Sequence, residues 1–395
     1  MEPKVIVRAA PQEYVCGQGV WEDLQSHLER RGIDSALVVH GGRSWEAAAP
    51  YFPDVHTVRL EYYRYGGECT YSERDTIASK VTEFGVQALI AVGGGKVSDS
   101  AKAAAALLRI PVIILPTLAA TCSPWSSLSV MYDASGTAVG YEVYPHSNAL
   151  VLVEPLVLLE SPKELLVAGV GDTLAKWYEA DAIIAHLPSV AEEIAIAHYA
   201  ARRCRDNLLA FAAEALAAQE AGTLNEAFVR VVETIFLTAG LVGGFGEDYG
   251  RTAAAHSIHD GLTVLPQSHD LLHGSKVAYG VILQLLLEGK REEIASLLPF
   301  YEALGLPASL EDMGLGGLSR AERLAVGVRA TEPGASIHRM QGHFDAELVA
   351  DAMEELESVV TDLRAKAAGQ PGQPGQPGPT QAAVPEQKRV SAGRR

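Results

Sequence analysis

Over the first 160 residues, short apolar runs alternate with segments of helix length. Residues 36–39, 55–60, 88–92 and 112–115 are the candidate strands. Such alternation predicts a mostly parallel sheet covered by helices on both faces. Residues 128–132 and 138–143 flank Asp133-Ala134-Ser135-Gly136, which has the turn chemistry of a hairpin, and residues 150–154 return the chain to the sheet. From about Pro162 the pattern changes. Alanine, leucine and glutamate recur at helical spacing through Ala239, then over 277–304 and 346–366, which predicts an all-helical second half. The expected boundaries are therefore an α/β domain over 1–160, a helical domain over 161–366 and a tail over 367–395. The tail opens with a Gly-Gln-Pro repeat, too short for a collagen-like trimer, and is expected to be disordered.

A length of 395 residues allows two domains and a large core. The net charge of −17 repels polyanions, so nucleic acid is not an expected partner. The best apolar run, 107–120, is broken by Arg109, Pro111 and Pro116, so no membrane span is expected. The start, Met-Glu-Pro-Lys-Val, carries no secretory signal pattern, and a cytoplasmic protein is the default reading. Cys16, Cys69, Cys122 and Cys204 lie far apart with no Cys-x-x-Cys pair, against a disulfide framework and a thiolate zinc site alike.

Four of the twelve histidines fall between Ala253 and Gly280. His256 and His259, at i, i+3, share one side of a predicted helix that Pro266 stops, and His273-Gly274 opens the next apolar run. Imidazoles from two elements either converge on a metal, given a third ligand from elsewhere, or are ordinary core and surface histidines. Asp172, in Gly169-Val170-Gly171-Asp172-Thr173-Leu174-Ala175-Lys176, is either that third ligand or a helix cap paired with Lys176 on a solvated face. One carboxylate and two imidazoles suit Zn²⁺ or Fe²⁺.

Gly93-Gly94-Gly95-Lys96 follows a predicted strand and opens a predicted helix, so its backbone N–H groups either cradle a phosphate or form a plain tight turn. Gly41-Gly42-Arg43-Ser44 ends an earlier strand without an acid for a ribose 2′-hydroxyl; Arg43 instead suits a 2′-phosphate, favouring NADP over NAD. Residues 116–126 are rich in hydroxyls, which serve a ribose or carboxamide as readily as an ordinary loop.

Together, Gly-Gly-Gly-Lys-x-x-Asp-x-x-Lys over 93–102, Pro116-Thr117, Gly171-Asp172, and His256 with His273-Gly274 resemble the iron-containing alcohol dehydrogenase superfamily, in its glycerol dehydrogenase-like branch. The resemblance runs in order over residues 1–366. It implies a Rossmann-like NAD(P)-binding domain followed by an all-α metal-binding domain, the dehydroquinate synthase-like fold, with the metal in the cleft. By matching motif, Asp172, His256 and His273 would hold the metal. Gly94, Gly95 and Lys96 would lie at the pyrophosphate, with Asp99, Thr117, Ser126, Leu128 and Tyr132 along the rest of the cofactor.

Two departures bear on substrate. Cys122 stands where glycerol dehydrogenases carry an aspartate that contacts the polyol, and Lys176 stands where other branches place a fourth, histidine ligand. Losing the carboxylate removes a repulsion towards anionic substrates, and a protonated lysine suits a substrate carboxylate. Both features, with residues 171–180 and 261–267, resemble the bacterial hydroxycarboxylate dehydrogenase type, implying reduction of a small 2-oxo acid with NADPH. His259 is the candidate proton relay, with a packing or ligand-supporting role as its alternative. Glycerol or another polyol is the competing substrate. The same fold hosts a lyase, dehydroquinate synthase, whose basic cluster is not evident beside His256 or His273 in the sequence, and a non-catalytic binding protein is the last alternative. A homo-oligomer is expected.

Overall fold

The computed structural model describes residues 5–134 and 136–369. Six strands form one parallel sheet: β1 (Tyr14–Cys16), β2 (Ser35–His40), β3 (Arg59–Arg64), β4 (Ala88–Gly93), β5 (Val112–Pro116) and, after an inserted ribbon, β8 (Leu150–Val153), in the order β1-β8-β5-β4-β2-β3. Strands β2, β4, β5 and β8 carry buried side chains almost throughout, as expected of a sheet covered on both sides. The covering helices are α1 (Leu24–Glu29), α2 (Gly42–Ala48), α3 (Tyr71–Phe84) and α4 (Gly95–Leu108). The insertion is the hairpin β6 (Leu128–Tyr132) and β7 (Ala138–Val143), antiparallel as its turn chemistry predicts.

Three details differ from the sequence reading. The strand expected at 55–60 is Arg59–Arg64, because its alternation of partly buried and exposed positions begins only after Val58. The edge strand β1 was passed over, being three residues long. Gly169 and Gly171 do not open a helix, and Asp172 is no cap. Both glycines lie inside one long helix, α6, with Asp172 buried in its middle.

The remaining helices are α5 (Pro155–Leu159), α6 (Lys163–Ile184), α7 (Glu192–Glu220), α8 (Glu226–Glu233), α9 (Ala239–Gly246), α10 (Ala254–Leu262), α11 (His273–Leu287), α12 (Arg291–Leu304), α13 (Arg320–Ala330) and α14 (Ala346–Gly369). Of the tail expected over 367–395, residues 367–369 continue helix α14 and residues 370–395 lie outside the described residues. The continuous helical run Glu226–Tyr249 has the length and mean hydropathy, 1.6, of a membrane span, a segment the sequence reading did not single out. Here Phe228, Val231, Val232, Ile235, Phe236 and Val242 are all at most 1% exposed, so its apolar face is consumed by the core.

The topology fixes where a ligand can sit. From β2 the chain moves outward to β3, then crosses back to β4 on the other flank of β2, so the switch in winding lies between β2 and β4. The crevice beyond the carboxyl ends of such strands is the usual ligand position in open α/β sheets. Both glycine turns, at 41–42 and 93–95, open onto it.

Candidate metal and cofactor site

Close helix crossings bring three distant side chains together. A Cβ on Gly274 would lie 1.8 Å from the Ala168 carbonyl oxygen, so only glycine lets the start of α11 meet α6 there. A Cβ on Gly280 would lie 2.4 Å from the Ala255 carbonyl oxygen, which sets the approach of α10 to α11 in the same way. As a result Asp172 from α6, His256 from α10 and His273 at the first residue of α11 offer ligand atoms that all lie within 4.8 Å of one another. Nε2 of His256 and Nε2 of His273 each stand 3.3 Å from Oδ1 of Asp172. Asp172 is buried and His273 exposed, so the cluster opens on one side.

The outer nitrogens fix the tautomers. His256 Nδ1 donates to Glu179 Oε2 at 2.6 Å. His259 Nδ1 donates to Asp260 Oδ1 at 3.0 Å, leaving His259 Nε2 to accept from His273 Nδ1 at 2.9 Å. Both Nε2 lone pairs then point at the Asp172 oxygen. Three acceptors facing one point repel unless a cation or a proton sits among them, so the donor set fits a divalent cation. Without one, a proton substitutes: burial opposes a charged His256, but Glu179 and Asp172 outweigh it and raise its pKa to about 9. Burial likewise opposes the Asp172 carboxylate, yet Lys176 and the two imidazoles hold its pKa well below the ordinary range. His259 is pushed down to about 3 by burial and by His273. Glu179, at 0% exposure one helical repeat beyond Asp172, escaped the sequence reading, although its i+7 position on the same helix was the available signal. His269 bonds the Thr263 carbonyl instead and stands apart from the cluster.

Of the cofactor candidates, Gly94, Gly95 and Lys96 follow β4 and Thr117 follows β5. Gly94 and Gly95 form the entry to α4, where the first N–H groups of the helix lack intrahelical acceptors. Thr117 donates its backbone N–H to the Gly93 carbonyl at 3.2 Å and keeps a buried hydroxyl without a partner among the described residues. That orphaned hydroxyl beside the glycine turn suits a ribose or phosphate oxygen. Lys96 Nζ lies 2.6 Å from Glu68 and 5.3 Å from the centre of the Tyr132 ring, so these two candidates meet. Asp99 is differently employed: Lys102 at 2.8 Å, Ser123 Oγ at 2.6 Å and the Val130 N–H at 3.0 Å engage both its oxygens. Lys102 also donates to the Ser123 and Ser126 carbonyls, so the pair anchors the hydroxyl-rich loop, and Asp99 holds β6 at Ser129 and Val130, just beyond Leu128. At the other glycine turn Arg43 is exposed, and the guanidinium of Arg64, not singled out from sequence, stands 2.7 Å from where a Gly42 Cβ would be.

Lys176 lies in α6, and Cys122, in the loop after β5, packs against a core cluster that includes Ala180 and Ile184 of α6. Lys176 follows Asp172 by one turn on the same face of α6 and is 8% exposed. Burial works against its ammonium, but Asp172, Cys122 and Glu179 raise its pKa. The Cys122 thiol is pushed up by burial, with Lys176 and Arg251 pulling the other way.

Residues 11–155 match the family described as iron-containing alcohol dehydrogenase. The chain is 34% identical over 353 residues to hydroxycarboxylate dehydrogenase A of Escherichia coli (strain K12), covering 89% of this chain and 97% of that protein. It is 35% identical over 333 residues to glycerol dehydrogenase of Thermotoga maritima, covering 83% of this chain and 90% of that protein. Its fold superposes on the crystal structure of glycerol dehydrogenase from Schizosaccharomyces pombe with a TM-score of 0.82 at 32% identity, over 94% of this chain and 95% of that one. With likeness of that extent running through both the sheet and the helical half, this oxidoreductase belongs to the iron-containing alcohol dehydrogenase family.

Proposed function

We propose that the protein is a metal-dependent NAD(P)H oxidoreductase that reduces a small 2-oxo acid to the 2-hydroxy acid, working in the cytoplasm as a homo-oligomer. The observation that carries it is the meeting of Asp172, His256 and His273 with both Nε2 lone pairs turned inward. Bound there, Zn²⁺ or Fe²⁺ would supply Lewis-acid polarisation of the carbonyl, and a nicotinamide along the sheet edge the hydride. Gly94, Gly95, Lys96, Thr117, Ser126, Leu128 and Tyr132 would orient the dinucleotide, with Asp99 bracing their loop. Arg43 and Arg64 would take a 2′-phosphate, which favours NADP. His259, bonded to His273 on one side and to Asp260 on the other, is the residue we assign to relay the proton that joins the carbonyl oxygen. The substrate carboxylate falls to Lys176, and Cys122 leaves the acid out of its surroundings.

The glycerol dehydrogenase relatives favour a second reading, oxidation of a polyol with NAD. The purified protein assayed with 2-oxobutanoate plus NADPH and with glycerol plus NAD decides between them. Polyol turnover without oxo-acid turnover would overturn the first reading.

A further inference from the structure

We propose that Arg251 is a specificity-determining residue that pairs with Lys176 to form a two-cation subsite for the substrate carboxylate. This rests on the 2-oxo acid reading above and names how that site would choose its substrate class.

Neither cation is fully used by its neighbours. Lys176 Nζ carries three protons, and among the described residues its only hydrogen-bond acceptor is the Arg251 carbonyl at 3.2 Å. Arg251 Nε is buried without a partner among the described residues. Its Nη2 stands 3.4 Å from Glu247, whose other oxygen already takes Arg8 at 2.8 Å, so one carboxylate serves two guanidiniums. The other acids nearby are committed as well: Asp172 to the imidazoles and Glu179 to His256 and the Ala253 N–H. The cleft side of α6 therefore holds unused N–H groups on two cations. An unpaired buried donor is costly, and a carboxylate arriving there satisfies several at once.

The surroundings have been cleared for this guanidinium. It lies across Gly243 of α9, where a Cβ would come within 3.1 Å of Nη1. Cys122, in the hydroxyl-rich loop, carries a thiol that feels the charges of both Lys176 and Arg251 and brings no opposing carboxylate. Arginine offers a planar fork that lysine alone cannot, so the pair distinguishes a carboxylate from a hydroxymethyl group of similar size.

The test compares 2-oxobutanoate with 1-hydroxy-2-butanone, in which a hydroxymethyl group replaces the carboxylate, at saturating NADPH in metal-loaded enzyme. For Arg251→Met and Lys176→Met the expected result is a KM raised at least tenfold for the oxo acid and less than twofold for the hydroxyketone. Arg251→Lys should recover part of the loss. Calorimetric binding of oxamate, a non-reducible 2-oxo acid analogue, supplies a readout without turnover and should weaken in parallel. If the wild type reduces 2-oxobutanoate and both Arg251 variants keep its KM and the oxamate affinity, this inference alone falls. Equal losses with both substrates would mark Arg251 as merely structural and also overturn it. If the wild type neither reduces 2-oxo acids nor binds oxamate, the functional reading falls first and this inference with it.

Discussion

Glu179 grips His256 twice, accepting from its ring Nδ1 at 2.6 Å and from its backbone N–H at 2.9 Å, while sharing an oxygen with the Ala253 N–H at 2.6 Å. One buried carboxylate thus sets both the position of α10 and the tautomer of a candidate ligand. Partners of this kind typically contribute about ten- to hundredfold to metal affinity. Glu179→Gln keeps the shape and loses the charge, so Zn²⁺ binding to metal-free protein should weaken by roughly that factor. Isothermal titration reads it directly, and unchanged affinity would contradict the assignment.

Proton and metal compete for His256 Nε2. The metal-free pKa of about 9 means the imidazole is charged at neutral pH and must lose its proton before coordinating. Raising the pH towards that value removes the competing proton, so metal affinity should climb by about tenfold per unit between pH 6 and 8, then level off. Affinity that stays flat across this range would show that His256 carries no such proton.

The helix crossing at Gly274 invites a steric test. Alanine there would drive Cβ into the Ala168 carbonyl, 1.8 Å away, and neither backbone can yield without moving His273 from Asp172. Overpacking of this kind costs about 1–3 kcal/mol or more. Gly274→Ala should lower the urea midpoint and weaken metal binding together; a stable variant with intact binding would refute the account of why glycine stands there.

Much of this arrangement was legible from residue order. Strands β2, β4, β5 and β8 announced themselves because uninterrupted apolar runs are what a doubly covered sheet requires, and His256, His273 and Asp172 by residue type and motif. What stayed hidden depends on three-dimensional company. Glu179 and Arg251 look like ordinary helix and loop charges until α6 and α10 close around them. Asp172 read equally well as a cap because two nearby glycines suggest a break, whereas both serve close packing within α6. Arg64 ends a strand whose start was misplaced, so its approach to Gly42 had no sequence counterpart.

Lys102 and Asp99 form a pair at 2.8 Å with side chains only 1% and 8% exposed. Removing one partner leaves the other charge buried and unmatched, a loss of about 3–5 kcal/mol. Lys102→Met should therefore lower the melting temperature sharply and release the Ser123 and Ser126 carbonyls it holds. Combining it with Asp99→Leu should return part of the stability while leaving the loop untethered and cofactor binding weak. A double variant no more stable than the single one would show that the loop contacts, and not the buried charge, dominate.

Cys122 is the position at which a single atom group should redirect specificity. Its thiol lies where the charges of Lys176 and Arg251 are both felt, so an aspartate there would pair with these cations and repel an incoming carboxylate. The same oxygens would accept from the hydroxyls of a polyol. Cys122→Asp should accordingly raise KM for 2-oxobutanoate by about tenfold or more, since like charges placed face to face cost several kcal/mol when desolvated. Glycerol oxidation should rise from its wild-type level in the same preparation. Opposite movements of the two substrates are the outcome that matters, because a variant damaged in its fold would lose both. Should glycerol turnover stay unchanged while the oxo acid is turned over as before, the cleft is not reading charge at this position.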